Sequence, residues 1–307
     1  MTTAGPESTD RPGRTFLQRV LDLRTTPSPE PMALTAQEDA LAQGLAVAKV
    51  YGFVSIDYPG AAGSWVFDGD GNDAVGGFGF DTPSPASPFT AFSFTAGAYQ
   101  TLAVPNSTFS MAMGLTGLGL IIGVYDDLTS VRRGFTNDAG NFSDVQFPGA
   151  ISTEAIGVNE AGQIVGDYLD AGNAVHGYVS SGGVFTAIDF PGATSTVAAG
   201  INATGEIVGS WSNASGTHGF LLRSGAFSII DFPLAPSTTP FGINDTGEIA
   251  GYYTDAGGNI DGYLFGRSLQ HSRHSGRSAH LLDSHSERGT DYRCMHRCTE
   301  RVSRPYR

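Results

Sequence analysis

Gly200-Ile201-Asn202-Ala203-Thr204-Gly205-Glu206-Ile207-Val208-Gly209 decides the fold, because the chain repeats it. The other clear copies are Gly157-Val158-Asn159-Glu160-Ala161-Gly162-Gln163-Ile164-Val165-Gly166 and Gly242-Ile243-Asn244-Asp245-Thr246-Gly247-Glu248-Ile249-Ala250-Gly251, with leading glycines 43 and 42 residues apart. Self-similarity at such a period marks a solenoid, a propeller or an array. Within each copy, Asn-x-x-Gly suits a hairpin made of a type I turn followed by a left-handed glycine.

Working outward from Asn202, four strands are legible. Val184 to Phe190 alternates and is rich in β-branched and aromatic residues until Pro191-Gly192 ends it. Thr196 to Asn202 and Glu206 to Trp211 flank the hairpin turn. A polar loop, Ser212 to Thr217, then leads into His218-Gly219-Phe220-Leu221-Leu222. Four short antiparallel strands in about 40–45 residues are the unit of a propeller blade.

The strand ending in Asp-aromatic-Pro, or its degenerate form, recurs at Asp57, Val104, Gln146, Asp189 and Asp231. The Gly-x-Asn strand recurs near Trp65 and at Gly114, Gly157, Gly200 and Gly242; the aromatic strand recurs near Phe92 and at Phe135, Tyr178, Phe220 and Tyr263. Five of each predict an all-β fold, a five-bladed β-propeller of four-stranded antiparallel blades. The chain enters on the Asp57 strand and leaves on the Tyr263 strand, so Phe53–Tyr58 is expected to complete the last blade and close the ring. An open β-solenoid is the alternative.

The expected organisation has a disordered tail over 1–34, a short helix or linker over 35–50, the propeller over 51–266 and a disordered Arg/His-rich tail over 267–307. Thr35-Ala36-Gln37-Glu38 fits a capping box at the start of the helix. Both cysteines, Cys294 and Cys298, lie in the last segment. The first two repeats are degenerate, with inserts at Asp81–Pro88 and the apolar run Met111–Ile122.

Charge narrows the partners. Residues 51–266 carry three basic side chains, Arg132, Arg133 and Arg223, against twenty acidic ones. Nucleic acid is excluded as an expected partner, since phosphate binding needs clustered Lys and Arg. Cations and neutral polar ligands such as glycans suit this charge. No apolar run reaches the roughly 18 residues of a membrane span. Residues 1–30 do not read as a secretory signal.

The pattern Gly-Ile-Asn-x-x-Gly-Glu-Ile-Val-Gly, followed by His-Gly-Phe and a glycine hairpin, resembles the bacterial HAF repeat, named for its His-Ala-Phe motif. The matching residues are His218-Gly219-Phe220 and His176-Gly177-Tyr178, with Arg133-Gly134-Phe135 and Asp261-Gly262-Tyr263 as weaker copies. Gly replaces the motif's Ala throughout, and the Trp that often follows is replaced, as in a divergent branch. The resemblance implies an exported, extracellular or cell-surface repeat protein and supplies no catalytic residues. A cytoplasmic location is the alternative.

Several constellations are candidates for chemistry. Arg133, His176, His218 and Asp261 share one position in successive blades, an arc able to hold a ligand. The bland reading is a strand-start residue bonded to its neighbouring loop. Asp68, Asp70 and Asp73 space oxygen ligands around glycines as calcium loops do, though Gly79 stands where such loops place a bidentate Glu. No other cofactor is expected. Asp57, Asp189 and Asp231 read as turn-capping residues, and Asn159, Asn202 and Asn244 as hairpin starters. Asp126, Asp127 and Asp144 are the acids outside the repeat pattern that an enzyme would use. The function expected is a monomeric, non-enzymatic binding or surface-interaction propeller for a glycan or other polar cell-surface component. The alternatives are a polysaccharide hydrolase or lyase with paired carboxylates, and a structural cell-envelope repeat protein.

Overall fold

The computed structural model describes residues 56–69, 73–79 and 89–266, together with the backbone of 270–271. The expected tails over 1–34 and 272–307, the helix over 35–50, residues 53–55 and Asp70 lie outside the described residues. Every regular element among the described residues is a strand.

The first meander contains β1 (Gly63–Gly69), β2 (Ala74–Gly79), β3 (Thr90–Thr95) and β4 (Ala98–Leu102). The second contains β5 (Ser107–Leu115), β6 (Leu120–Asp127), β7 (Arg132–Asp138) and β8 (Asn141–Val145). The third contains β9 (Ser152–Val158), β10 (Ile164–Leu169), β11 (Val175–Ser181) and β12 (Val184–Ile188). The fourth contains β13 (Ser195–Ile201), β14 (Ile207–Asn213), β15 (Gly216–Arg223) and β16 (Ala226–Ile230). The chain continues through β17 (Ser237–Ile243), β18 (Ile249–Thr254), β19 (Ile260–Phe265) and the two-residue β20 (Gln270–His271).

Each meander is antiparallel. The strands from β9 onward form a continuous sheet, but only single parallel bridges, Val175 to Ser195 and Thr217 to Ser237, join one meander to the next. The repeat is phased so that the Asn-x-x-Gly hairpin joins the first two strands of a meander.

The glycines explain how closely the meanders pack. In the first strand of each meander the register slips at the same place, beside Asp68, Gly114, Gly157, Gly200 or Gly242. At Gly157 a Cβ would lie 2.6 Å from the carbonyl oxygen of Ala199, and at Gly200 it would lie 2.6 Å from that of Phe241. Only a residue without a side chain lets the neighbouring backbone approach so far.

The hairpin asparagines do more than start turns. Asn202 Oδ1 accepts from the Thr204 and Glu206 amides at 3.1 and 2.9 Å. Its Nδ2 donates to the Asn244 carbonyl in the next meander at 3.2 Å. Asn159 Nδ2 donates likewise to the Asn202 carbonyl at 3.0 Å. The motif therefore sews neighbouring meanders together.

Aligning the registers superposes Phe67, Met113, Ile156, Ala199 and Phe241, one from the first strand of each meander. All five are buried and belong to one apolar cluster. Among the described residues the innermost strands thus meet in an apolar plug. Four further clusters lie between successive meanders, from the first pair to the last.

β20 pairs with Tyr263 and Leu264 of β19. The sequence reading expected the segment ending at Tyr58 beside β19. Residues 53–55 of that segment lie outside the described residues, and Tyr58 packs on the first meander with its ring stacked on Phe78.

Candidate functional site

The loops joining second and third strands emerge at the same end as the connections between meanders, and the arc of Arg133, His176, His218 and Asp261 sits there. Each begins or nearly begins a third strand and pairs across the sheet with an aromatic or tyrosyl residue of the second: Tyr125, Tyr168, Trp211 and Tyr253, respectively.

In the third meander, His176 Nδ1 lies 2.7 Å from Asp189 Oδ1 and its Nε2 lies 3.3 Å from Asp170 Oδ2. Asp170 is itself the cap of its loop, accepting from the Gly172 and Ala174 amides at 2.8 Å each. Those amides and His176 hold the Asp170 carboxyl below its ordinary value, the Ala174 amide most strongly. Burial lowers the imidazole pKa, but the hydrogen bonds and charges of Asp189 and Asp170 outweigh it and lift His176 above its ordinary value.

The fourth meander repeats this clasp with milder chemistry. His218 Nδ1 lies 2.9 Å from Asp231 Oδ2, and its Nε2 lies 3.0 Å from Ser215 Oγ. In the second, Arg133 donates to Asp127 Oδ2 at 2.9 Å and also to Gln146 Oε1. Each clasp ties a loop to the start of the next meander. The bland reading of the histidines therefore describes their geometry, and Arg133, His176 and His218 sit in separate clasps.

Asp189 and Asp231 serve as partners of the histidines. The turn-capping role assigned to them from sequence falls elsewhere: the Phe190 amide donates to Thr196 Oγ1 at 3.0 Å and the Phe232 amide to Thr238 Oγ1 at 2.9 Å. A hydroxyl six residues after the aromatic caps the turn, and the recurring Thr was the signal for it.

Aromatic faces at this end are occupied. Trp211 is held between Phe190, at 4.1 Å between centroids, and His218, at 4.6 Å. Tyr168 is held between Phe147 and His176 at 3.7 and 5.1 Å. Neither ring offers an open platform. What faces solvent is carboxylate: the Asp189 side chain is 55% exposed although it grips His176.

The acids outside the repeat are drawn into structure. Asp126 takes Arg132 at 2.7 Å through Nε and 2.8 Å through Nη2. Asp127 caps its loop and holds Arg133. Asp144 accepts from the Tyr125 hydroxyl at 2.7 Å, and burial together with that carboxylate pushes Tyr125 up to about 12.

Two acids that sequence reasoning missed lie at the inner strands. Glu154 and Asp167 face each other in the β9–β10 register and are fully buried. Arg132 Nη1 reaches Glu154 Oε1 at 3.3 Å. Burial disfavours the charged guanidinium, yet Asp126 and Glu154 hold its pKa above the ordinary value. Aligned copies place Met111, Val197 and Thr239 where Glu154 stands, so a charge at an otherwise mostly apolar register was the available signal.

Of the calcium candidates, Asp68 is buried, its Oδ1 accepting from Gly69 N at 2.8 Å and its Oδ2 from Leu115 N at 2.9 Å. It fastens the first meander to the second. Asp73 is half-buried and Asp70 lies outside the described residues. Among the described residues no group of three or more His, Cys, Asp or Glu is placed to hold a metal. No helix among them is long and apolar enough to cross a membrane.

No family model and no curated protein matches the chain. Solved structures do. TolB from Acinetobacter baumannii is similar at a TM-score of 0.50 and 13% identity, over 64% of this chain and 51% of that one. The chain thus spans about half the length of that protein. The β-propeller domain of the Trilobed protease from Pyrococcus furiosus is similar at 0.46 and 11%, covering 74% and 88% of the two chains. The fucose-specific lectin from Aleuria aurantia is similar at 0.42 and 14%, covering 67% and 75%. At these identities the likeness concerns the fold alone: an all-β chain of four-stranded meanders, with a β-propeller domain among the similar structures.

Proposed function

We propose that this protein is a five-bladed β-propeller that binds a neutral, hydroxyl-rich ligand such as a glycan, without turning it over. The ligand sits at the end carrying the clasps. The apolar plug carries this reading: with the innermost strands packed against one another, recognition falls to the loops around them. Those loops present carboxylates already oriented by histidine or backbone partners, as at Asp170, Asp189 and Asp231. Fixed acceptors of this kind suit sugar hydroxyls, and the acidic repeat region disfavours anions. Placement outside the cell or on its surface follows the HAF resemblance.

Immobilised glycans probed with the purified full chain test the reading. Retention of a defined glycan class is expected, with at least about a tenfold loss in Asp189→Asn, the scale of one charge-assisted hydrogen bond. Retention unchanged by Asp189→Asn and by Asp231→Asn would move the site off the clasps. Shortening of a labelled polysaccharide on incubation would replace binding with hydrolysis or lysis.

A further inference from the structure

Trp211 is 8% exposed, and its Nε1–H has no hydrogen-bond partner. A buried donor left unmatched costs its full desolvation. The second meander shows how the same place is satisfied. There the Tyr125 hydroxyl, at the register position of Trp211, donates to Asp144 at 2.7 Å. Asp144 lies opposite Phe135, as Ile229 lies opposite Phe220. Ile229 thus stands where Asp144 stands and brings no acceptor.

Both rings stacked on the Trp211 indole lead to a carboxylate. Phe190, at 4.1 Å between centroids, follows directly on Asp189. His218, at 4.6 Å, holds Asp231 at 2.9 Å. The two carboxylate side chains are 55% and 37% exposed, so each keeps room for a further donor.

Apolar side chains flank Asp231. Six large apolar residues are exposed among the described ones, and two of them, Ile229 and Leu234, lie within three residues of it. Leu234 is 98% exposed and also strained. It sits at φ +64° in the turn Phe232-Pro233-Leu234-Ala235, where its counterparts are Gly60, Gly149 and Gly192 at +78°, +81° and +80°. The left-handed region disfavours a residue with a Cβ, and full exposure returns no burial in exchange. A leucine so placed gains nothing within the free protein.

We propose that this corner, around Trp211, Asp231 and Leu234, is the seat of the saccharide, and that the sugar it takes presents a contiguous C–H face beside its hydroxyls. This deepens the binding reading above and rests on it. Leu234 and Ile229 cover the C–H face, Asp189 and Asp231 accept from hydroxyls, and a sugar oxygen takes the Trp211 Nε1–H. The third clasp lacks the combination, because Ala187 and Gly192 replace Ile229 and Leu234. In the second, Gly149 replaces Leu234 and Asp144 is engaged by Tyr125. The fourth clasp is the one that joins an unmatched donor, exposed acceptors and an apolar cover.

Tryptophan emission and calorimetry test the seat. The chain has two tryptophans, so Trp65→Phe leaves Trp211 as its one indole. The full chain carrying Trp65→Phe is titrated with cellohexaose, chitohexaose and mannohexaose, and binding of each is followed in parallel by calorimetry. At least one is expected to bind and, on saturation, to change the Trp211 emission. Leu234→Gly is expected to weaken that saccharide by at least about fivefold, the scale of one lost apolar side-chain contact. Its melting midpoint is expected to equal or exceed the parent's, since glycine relieves the turn, which separates lost binding from lost folding. A lowered midpoint overturns the strain at Leu234. A saccharide that binds without changing Trp211 emission, or whose affinity stays within about twofold in Leu234→Gly, overturns the seat and leaves the binding reading standing. Binding of none of the three overturns both.

Discussion

The joint between the second and third meanders is charged, whereas the joint between the third and fourth is nearly neutral. At the former, Arg132 spans Asp126 and the buried Glu154, with Asp167 facing Glu154 across β9 and β10. At the latter, Val175 takes the position of Arg132, Val197 that of Glu154 and Ser210 that of Asp167, all within the same strand register. The backbone frame is indifferent to this exchange, because Asn hairpins and close-approach glycines set its geometry. What changes is the consequence of losing one side chain.

The largest expected effect follows directly. Arg132→Ala removes a cation from a buried carboxylate and is expected to cost about 3–5 kcal/mol in denaturant unfolding, the scale of a broken buried ion pair. Val175→Ala at the neutral joint is expected to cost only about 1–2 kcal/mol, since it deletes two methyl groups. Equal losses at the two joints would mean that the charges at Glu154 and Asp126 are already compensated without Arg132. Restoring stability in Arg132→Ala by adding Glu154→Gln would locate the damage at that carboxylate.

Next comes the close approach shared by both joints. Gly200→Ala drives a Cβ to within 2.6 Å of a carbonyl oxygen that belongs to rigid backbone. A loss of roughly 1–3 kcal/mol is expected from such overpacking. Gly157→Ala should match it, because its nearest atom is the equivalent carbonyl at the same distance. A difference between the two beyond about 1 kcal/mol would show that the charged joint yields where the neutral one does not.

Smaller again is the Asn ladder. Asn202→Ala strips acceptors from two turn amides and a donor from the Asn244 carbonyl, and about 1–2 kcal/mol is expected. Asn244→Ala alters a more open turn, whose Nδ2 bonds Glu248 within its own hairpin, and should cost about 0.5–1 kcal/mol. If the two cost the same, the step between meanders adds nothing to the turn.

Much of this frame was legible in the residues because it recurs. Asn-x-x-Gly fixed the hairpins, and Gly162, Gly205 and Gly247 adopt the left-handed conformation that this order requires. The thirteen-residue spacing of His176 to Asp189 and His218 to Asp231 was visible too, although the Asp was assigned to the turn and not to the imidazole. Glu154 and Asp167 escaped because each occurs once, inside a strand, with no motif around it. Only superposing registers shows them standing where Met111 and Val197, or Val124 and Ser210, stand elsewhere. Asp68 misled for the opposite reason. It sits in an acid-and-glycine run that resembles a cation loop, while its carboxylate substitutes for the bulge glycine and grips the Leu115 amide.

The finest distinction is between the two histidine clasps, and pH reads it. His176 is flanked by two carboxylates and its pKa is raised, so protonation favours the folded state. Its contribution is fully present below the unfolded value of about 6.5 and fades as pH rises through the higher folded value. Asp189→Asn and Asp170→Asn are each expected to flatten that part of the stability profile, and the double variant to remove it. Ser215→Asp offers the complementary test: it places a second carboxylate beside His218, whose Nε2 now meets a hydroxyl. A gain in stability over the parent on the acid side of neutrality is the expected result. If Ser215→Asp changes nothing while Asp170→Asn does, the loop cap and not the paired charge sets the imidazole's behaviour.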